Sequence, residues 1–164
     1  MRVALAQLNP LVGDLTGNGE QIQRACDEAA EQHAELLLTP ELSLWGYPPR
    51  DLLLQSNLIA QQSPILDKLV KHIALNTPRL SLVVGLAEPA PDKRLPNLFN
   101  ALALVNKSGW EIITRKQLLP TYDVFDDKRY FRTAQEPGVI TFQHEGCSLR
   151  IGFTICEDLW VEEE

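Results

Sequence analysis

Leu149-Arg150-Ile151-Gly152-Phe153-Thr154-Ile155-Cys156-Glu157-Asp158-Leu159-Trp160 changes character at its cysteine. Up to Ile155 the run is mostly apolar, which predicts a buried strand. After Cys156 come two acids, the residues that favour the first turn of a helix. A strand that runs through a tight turn into a helix is the joint of an α/β fold. Here it delivers the Cys156 thiol to the mouth of the turn. Free backbone N–H groups and a positive helix end would lower the thiol pKa there and could hold an oxyanion. A half-buried structural cysteine explains the same residues equally well, because cysteine is among the residue types most often found inside proteins.

The rest of the chain repeats the α/β pattern. Residues 2–8 alternate like a strand. Ile22, Cys26, Ala29, Ala30 and His33 recur at helical spacing, which predicts an amphipathic helix over 19–34 with Asn18 as its cap and Cys26 in the core. Residues 36–39 form a short apolar strand stopped by Pro40. Trp45-Gly46-Tyr47-Pro48-Pro49 is too rich in proline and glycine for regular structure, so 43–50 reads as a loop. Residues 51–75 read as mostly helical, with a break near Pro64. Residues 80–86 are another buried strand. Two hairpins follow, 99–105 with 111–115 and 139–142 with 147–155. A strand, a helix and a strand in this order imply a right-handed crossover. No internal repeat or linker divides the chain.

Composition excludes several classes. The 164 residues suffice for one domain with a core. A net charge of −7 is the wrong sign for a nucleic-acid binder. No apolar run approaches the ~20 residues of a membrane helix, and the N-terminus lacks the apolar stretch and cleavage site of a signal peptide. Three cysteines at irregular spacing suit a reducing compartment, and the cytoplasm is the expected location. No cysteine or histidine pair has metal-ligand spacing, so no metal is expected.

Three residues share one placement. Glu41, Lys116 and Cys156 each follow a predicted strand, and the carboxyl ends of strands are where α/β proteins hold their catalytic groups. A thiol, an acid and an amine together could perform acyl transfer: the thiol attacks an amide carbonyl, the glutamate moves the proton, and the ammonium holds the oxyanion. No histidine stands in a comparable position, which argues against a cysteine–histidine device. With 22 acids and 15 bases, some charged residues will fall at strand ends by chance, and each of these also reads as a solvated loop residue.

A resemblance adds to this. Pro40-Glu41-Leu42-Ser43-Leu44-Trp45-Gly46-Tyr47-Pro48-Pro49-Arg50-Asp51-Leu52-Leu53 resembles the glutamate segment of the nitrilase (carbon–nitrogen hydrolase) superfamily. Arg115-Lys116-Gln117-Leu118-Leu119-Pro120-Thr121-Tyr122 resembles its lysine segment, and Gly152-Phe153-Thr154-Ile155-Cys156-Glu157-Asp158-Leu159-Trp160 its cysteine segment. Gly46-Tyr47-Pro48-Pro49, Leu119-Pro120-Thr121-Tyr122 and Cys156-Glu157-Asp158-Leu159-Trp160 are most similar to the glutaminase domain of the glutamine-dependent NAD synthetase family.

The resemblance implies an α/β fold, the N-terminal part of an α-β-β-α sandwich with a mixed sheet and flanking helices. It implies that residues 1–164 are an incomplete glutamine amidohydrolase domain whose C-terminal ATP-dependent synthetase domain is absent. Glu41 would be the base, Lys116 the oxyanion holder and Cys156 the nucleophile, with Tyr122, Tyr47, Glu157 and Trp160 lining a glutamine pocket. The ammonia would serve ATP-dependent amidation of deamido-NAD, with ATP and Mg held by the synthetase domain. The complete enzyme would be a homo-oligomer, and this fragment would be inactive alone. Asp127 stands where the family commonly has a glutamate one methylene longer, so no second-acid role is assigned to it. Glu162-Glu163-Glu164 reads as a solvated end. The competing readings are another amidase of the superfamily, acting on a small amide or a ureido compound, and a non-catalytic truncated fragment.

Overall fold

Leu36–Leu38 is apolar throughout because both of its faces are buried. The computed structural model, which describes residues 1–92 and 94–160, makes this run β2, parallel to β1 (Val3–Leu5) on one side and β3 (Ser81–Pro89) on the other. β3 pairs antiparallel with β4 (Leu98–Asn106), and β4 with β5 (Gly109–Arg115), in the order β1-β2-β3-β4-β5. Side chains alternate across this mixed sheet. Leu37, Leu82, Val84, Ala103 and Val105 share a core with Ile22, Cys26, Leu66, Leu69 and Ile73 of two long helices, α1 (Leu15–Glu31) and α2 (Ser56–Asn76). Leu36, Val83 and Leu102 point the other way and form a smaller cluster with Ile155. A separate hairpin, β6 (Gly138–His144) and β7 (Cys147–Phe153), lays Ile151 and Phe153 against that cluster. The architecture is the expected α/β mixed sheet with flanking helices.

Four expectations change. α1 begins at Leu15, and Asp14, not Asn18, caps it by accepting from the Gly17 N–H at 2.9 Å. Asn18 is buried instead, bonded to both backbone groups of Leu11 and to the Leu44 carbonyl, so it ties the helix to the loop after β2. Pro64 does not break α2, which runs on from Ser56 to Asn76, and the carbonyl that its ring deprives of a helical partner belongs to Ala60, an exposed residue. The break falls at Gln55, between a 3-10 turn (Arg50–Leu54) and α2. Finally, Cys156 enters not an α-helix but a 3-10 turn, Cys156–Leu159. Glu162, Glu163 and Glu164 lie outside the described residues.

The sheet directions position the site. β2 and β5 are parallel and end at the same edge, while antiparallel β4 begins there. Glu41, Lys116 and Asn100 therefore start from neighbouring points of one edge.

Candidate active site

The segment after β2 is a buried platform rather than a surface loop. Leu42, Leu44 and Trp45 are fully buried. The Trp45 indole N–H donates to Gln62 Oε1 at 2.6 Å, and Gln62 in turn bonds both backbone groups of Ala87 on β3. The Leu44 N–H donates to the Gly85 carbonyl at 3.1 Å. Gly85 is where the platform crosses β3. A Cβ there would lie 2.4 Å from the Leu42 nitrogen and 2.7 Å from the Pro40 carbonyl oxygen, so only glycine lets the backbone of Glu41 lie flat on the strand.

Lys116 is 1% exposed, yet it is charged and paired with two carboxylates. Its Nζ donates to Glu41 Oε1 at 2.7 Å and to Asp127 Oδ2 at 2.8 Å. Burial works against the ammonium, but the two carboxylates outweigh burial and hold its pKa above the ordinary lysine value. Two of its three protons are committed, which leaves one for a ligand oxygen. Asp127, at the start of the short α3 (Asp127–Tyr130), is buried and also accepts from the Tyr47 hydroxyl at 3.2 Å. The shorter side chain thus still reaches the lysine, and the sequence reading that left Asp127 without a role is corrected here.

Cys156 stands on a strained elbow. Its φ is +48°, in the left-handed region that non-glycine residues avoid. Asp158 fixes the elbow: its carboxylate accepts from the Ile155 N–H at 3.1 Å and from the N–H groups of Gln117 and Leu118 at 3.0 and 2.8 Å. One side chain therefore joins the cysteine turn to the segment after the lysine. The expectation of a lowered thiol pKa is overturned. Desolvation and the facing Glu41 carboxylate raise it, and Lys116 only partly offsets them. With a four-residue 3-10 turn in place of a longer helix, little dipole acts on the thiol. No histidine takes part: His72 pairs with Asp27 and His144 with Glu35. Glu41 is the carboxylate that faces the Cys156 thiol.

A family model, carbon-nitrogen hydrolase, matches residues 2–164. The chain belongs to the carbon–nitrogen hydrolase family. The glutamine-dependent NAD(+) synthetases of Synechocystis sp. and Aquifex aeolicus are similar to it, at 40% and 38% identity over 98% of this chain. The chain spans about 28% of the length of the first of these and 26% of the second. Among solved structures, the glutamine-dependent NAD+ synthetase of Acinetobacter baumannii, in complex with ADP, superposes with a TM-score of 0.77 at 31% identity, covering 96% of this chain and 28% of that one. A variant of the amidase of Nesterenkonia sp. AN1, which shows covalent addition of the acetamide moiety of fluoroacetamide at its active-site cysteine, superposes at 0.76 and 26% identity, covering 96% and 56%.

In this carbon–nitrogen hydrolase the expected pocket residues divide. The Tyr122 hydroxyl donates to Glu157 Oε2 at 2.8 Å, and its ring meets Phe125 edge-on at 5.5 Å. Glu157 directly follows the cysteine, so this pair stands at the mouth of the elbow. Tyr47 lies behind it, bonded to Asp127, with burial and then the Asp127 and Glu41 charges holding its phenol above the ordinary pKa. Trp160 is 74% exposed, and its backbone N–H bonds the Glu157 carbonyl. A cleft lined by Tyr47, Asp51, Thr121, Phe125, Asp127 and Tyr130 reaches the acid behind the lysine but none of Glu41, Lys116 or Cys156. Asn100, Asp158 and Gly85 were absent from the sequence-derived site. Asp158 alone carried a signal, its place two residues after the cysteine.

Proposed function

We propose that this chain is the N-terminal part, residues 1–164, of a glutamine-hydrolysing domain. It would belong to a longer protein whose ATP-dependent synthetase domain uses the ammonia to amidate deamido-NAD. The observation that carries the reading is the Glu41–Lys116–Asp127 ion-pair chain, buried beside a cysteine on a strained elbow. Cys156 Sγ attacks the side-chain amide carbon of glutamine as its proton passes to Glu41. Lys116 holds the oxyanion with its free N–H. Glu41 then returns the proton to the amide nitrogen, the C–N bond breaks and ammonia leaves. Water attacks the thioester, giving its proton to Glu41, and Cys156 departs reprotonated with release of glutamate. Tyr122 and Glu157 are assigned to the glutamine head group, Tyr47 to the wall of the pocket and Trp160 to its rim. ATP and Mg belong to the synthetase domain, and no step here runs through them.

Relatives named as glutamine-dependent synthetases, at up to 40% identity, support glutamine over other amides. The competing reading, a small-amide amidase, draws on the amidase that superposes nearly as well. Ammonia release by the full-length protein, from glutamine and from butyramide, distinguishes them. Glutamine turnover that disappears in Cys156→Ala is expected, and a higher kcat/KM for butyramide would overturn the glutaminase reading. The 164-residue chain alone is expected to work far below the ~10 s⁻¹ of an ordinary enzyme, because Cys156, Tyr122 and Trp160 are all open to solvent. Among the described residues no helix is long and apolar enough to cross a membrane. We assign the protein to the cytoplasm, which suits three free thiols, and expect a homo-oligomer in the complete enzyme.

A further inference from the structure

The two oxygens of Glu41 are not equivalent. Asn100 Nδ2 donates to Oε1 at 2.6 Å, and Lys116 Nζ donates to the same atom at 2.7 Å. Asn100 is fully buried on β4, opposite Ala87 of β3. Its own amide oxygen is buried and has no partner among the described residues. An unpaired buried acceptor is uncommon and needs a reason. The carboxylate supplies one: turned over, the amide would press its oxygen against Oε1, two acceptors with no proton between them. Glu41 thus holds the amide in one orientation and leaves its oxygen unsatisfied. The Asn100 backbone carbonyl also accepts the Lys116 N–H at 2.8 Å, so this residue touches both members of the ion pair.

We propose that Asn100 is the positioning residue of Glu41: with Lys116 it anchors Oε1, so that Oε2 is the oxygen presented to the Cys156 thiol. Oε1, engaged by an ammonium and an amide N–H, is the poorer proton acceptor of the two. The proton leaving Sγ goes to Oε2 and departs from Oε2. The groups around Glu41 are Lys116 from the end of β5, Asn100 from β4, Tyr47 from the platform loop and Cys156 from the elbow, with Asp127 behind Lys116. Asn100 alone among them neither titrates nor carries charge, so it constrains the carboxylate at every pH. The inference rests on Glu41 being the base of the proposed reaction, but its test needs no glutamine.

The test is the pH dependence of Cys156 modification by methyl methanethiosulfonate, a small uncharged reagent, followed by peptide mapping. Sγ attacks the reagent sulfur, a new S–S bond forms and methanesulfinate leaves. A Glu41 carboxylate aimed at the thiol raises the midpoint of this profile, so Glu41→Gln lowers it. Asn100→Leu, with its fold checked by circular dichroism, should lower the midpoint by about half a pH unit or more, because the carboxylate is no longer held toward the thiol. In the Glu41→Gln background the same change should cause no further shift. Asn100→Ala reads out the same cycle if the leucine variant misfolds. An unmoved midpoint in the single variant, or an equal shift in both backgrounds, would overturn the proposal, since a purely structural asparagine does not act through Glu41. If glutamine proves not to be the substrate while this cycle behaves as expected, the positioning role stands and only the substrate assignment falls.

Discussion

The carboxylate of Asp158 accepts the backbone N–H of Leu118 at 2.8 Å, and this contact sets the distance between the cysteine elbow and the end of the lysine strand. The same carboxylate bonds Gln117 and Ile155, so one acid is shared by the two segments that must meet. Under the proposed function, Asp158→Ala should therefore cost the full-length protein more in kcat than in KM. A displacement of about 1 Å is enough for a ~10²-fold loss. Steady-state glutamine hydrolysis measures it, and a kcat within a few-fold of the parent would show that the elbow holds its position without the clamp.

Gly85→Ala tests the platform. The added methyl would sit 2.4 Å from a backbone nitrogen, which cannot swing aside as a side chain can. Overpacking of this kind costs about 1–3 kcal/mol. Urea unfolding should show that loss together with a fall in Cys156-dependent turnover, because the backbone that gives way is that of Glu41. Unchanged stability would mean the platform is softer than its buried Leu42, Leu44 and Trp45 suggest.

Lys116→Met should leave two buried carboxylates with no cation between them. Removing one partner of a buried ion pair costs about 3–5 kcal/mol. The pH dependence has a definite sign. In the parent, the raised lysine pKa contributes stability that is fully present below the unfolded value of 10.5 and is lost as pH rises through the higher folded value. In the variant that contribution is gone, so the deficit should be constant at pH well below 10.5 and shrink as pH rises above it. Thermal unfolding at pH 7, 9 and 11 compares the two, and a deficit as large at pH 11 as at pH 7 would argue that the Lys116 charge does not carry this stability.

The thiols should separate by burial and by base. Burial pushes Cys26 up to about 12, so it should label last of the three in folded protein. Cys156 is exposed but its pKa is raised, so the midpoint of its labelling profile should lie above the ordinary thiol value of 9.0. Mass mapping over pH 6 to 10 reads both. Fast labelling of Cys156 near pH 6 would mean a thiolate already formed, and Glu41 would then have no proton to take.

The local chemistry of this chain was written in its sequence. Apolar runs at 36–39 and 80–86, turn residues at 106–109 and 143–146, and the strand ends carrying Glu41, Lys116 and Cys156 follow from period, propensity and punctuation, all properties of near neighbours. That Glu41 and Lys116 could meet was legible in their shared position at the carboxyl ends of strands, and the parallel direction of β2 and β5 came from the tertiary structure. Their partners were not. Asn100 reads as an ordinary residue within a strand, Gly85 as a weak spot in another, and Asp127 as an acid one methylene short. Each acquires its role from a contact across 59, 44 or 11 positions of chain, since Asn100 meets Glu41, Gly85 meets Glu41 and Asp127 meets Lys116. The thiol pKa was misjudged for the same reason. The sequence could suggest a helix end near Cys156, but the tertiary structure decided which charge faced it, because electrostatic work depends on distance through space and on the water excluded between the groups.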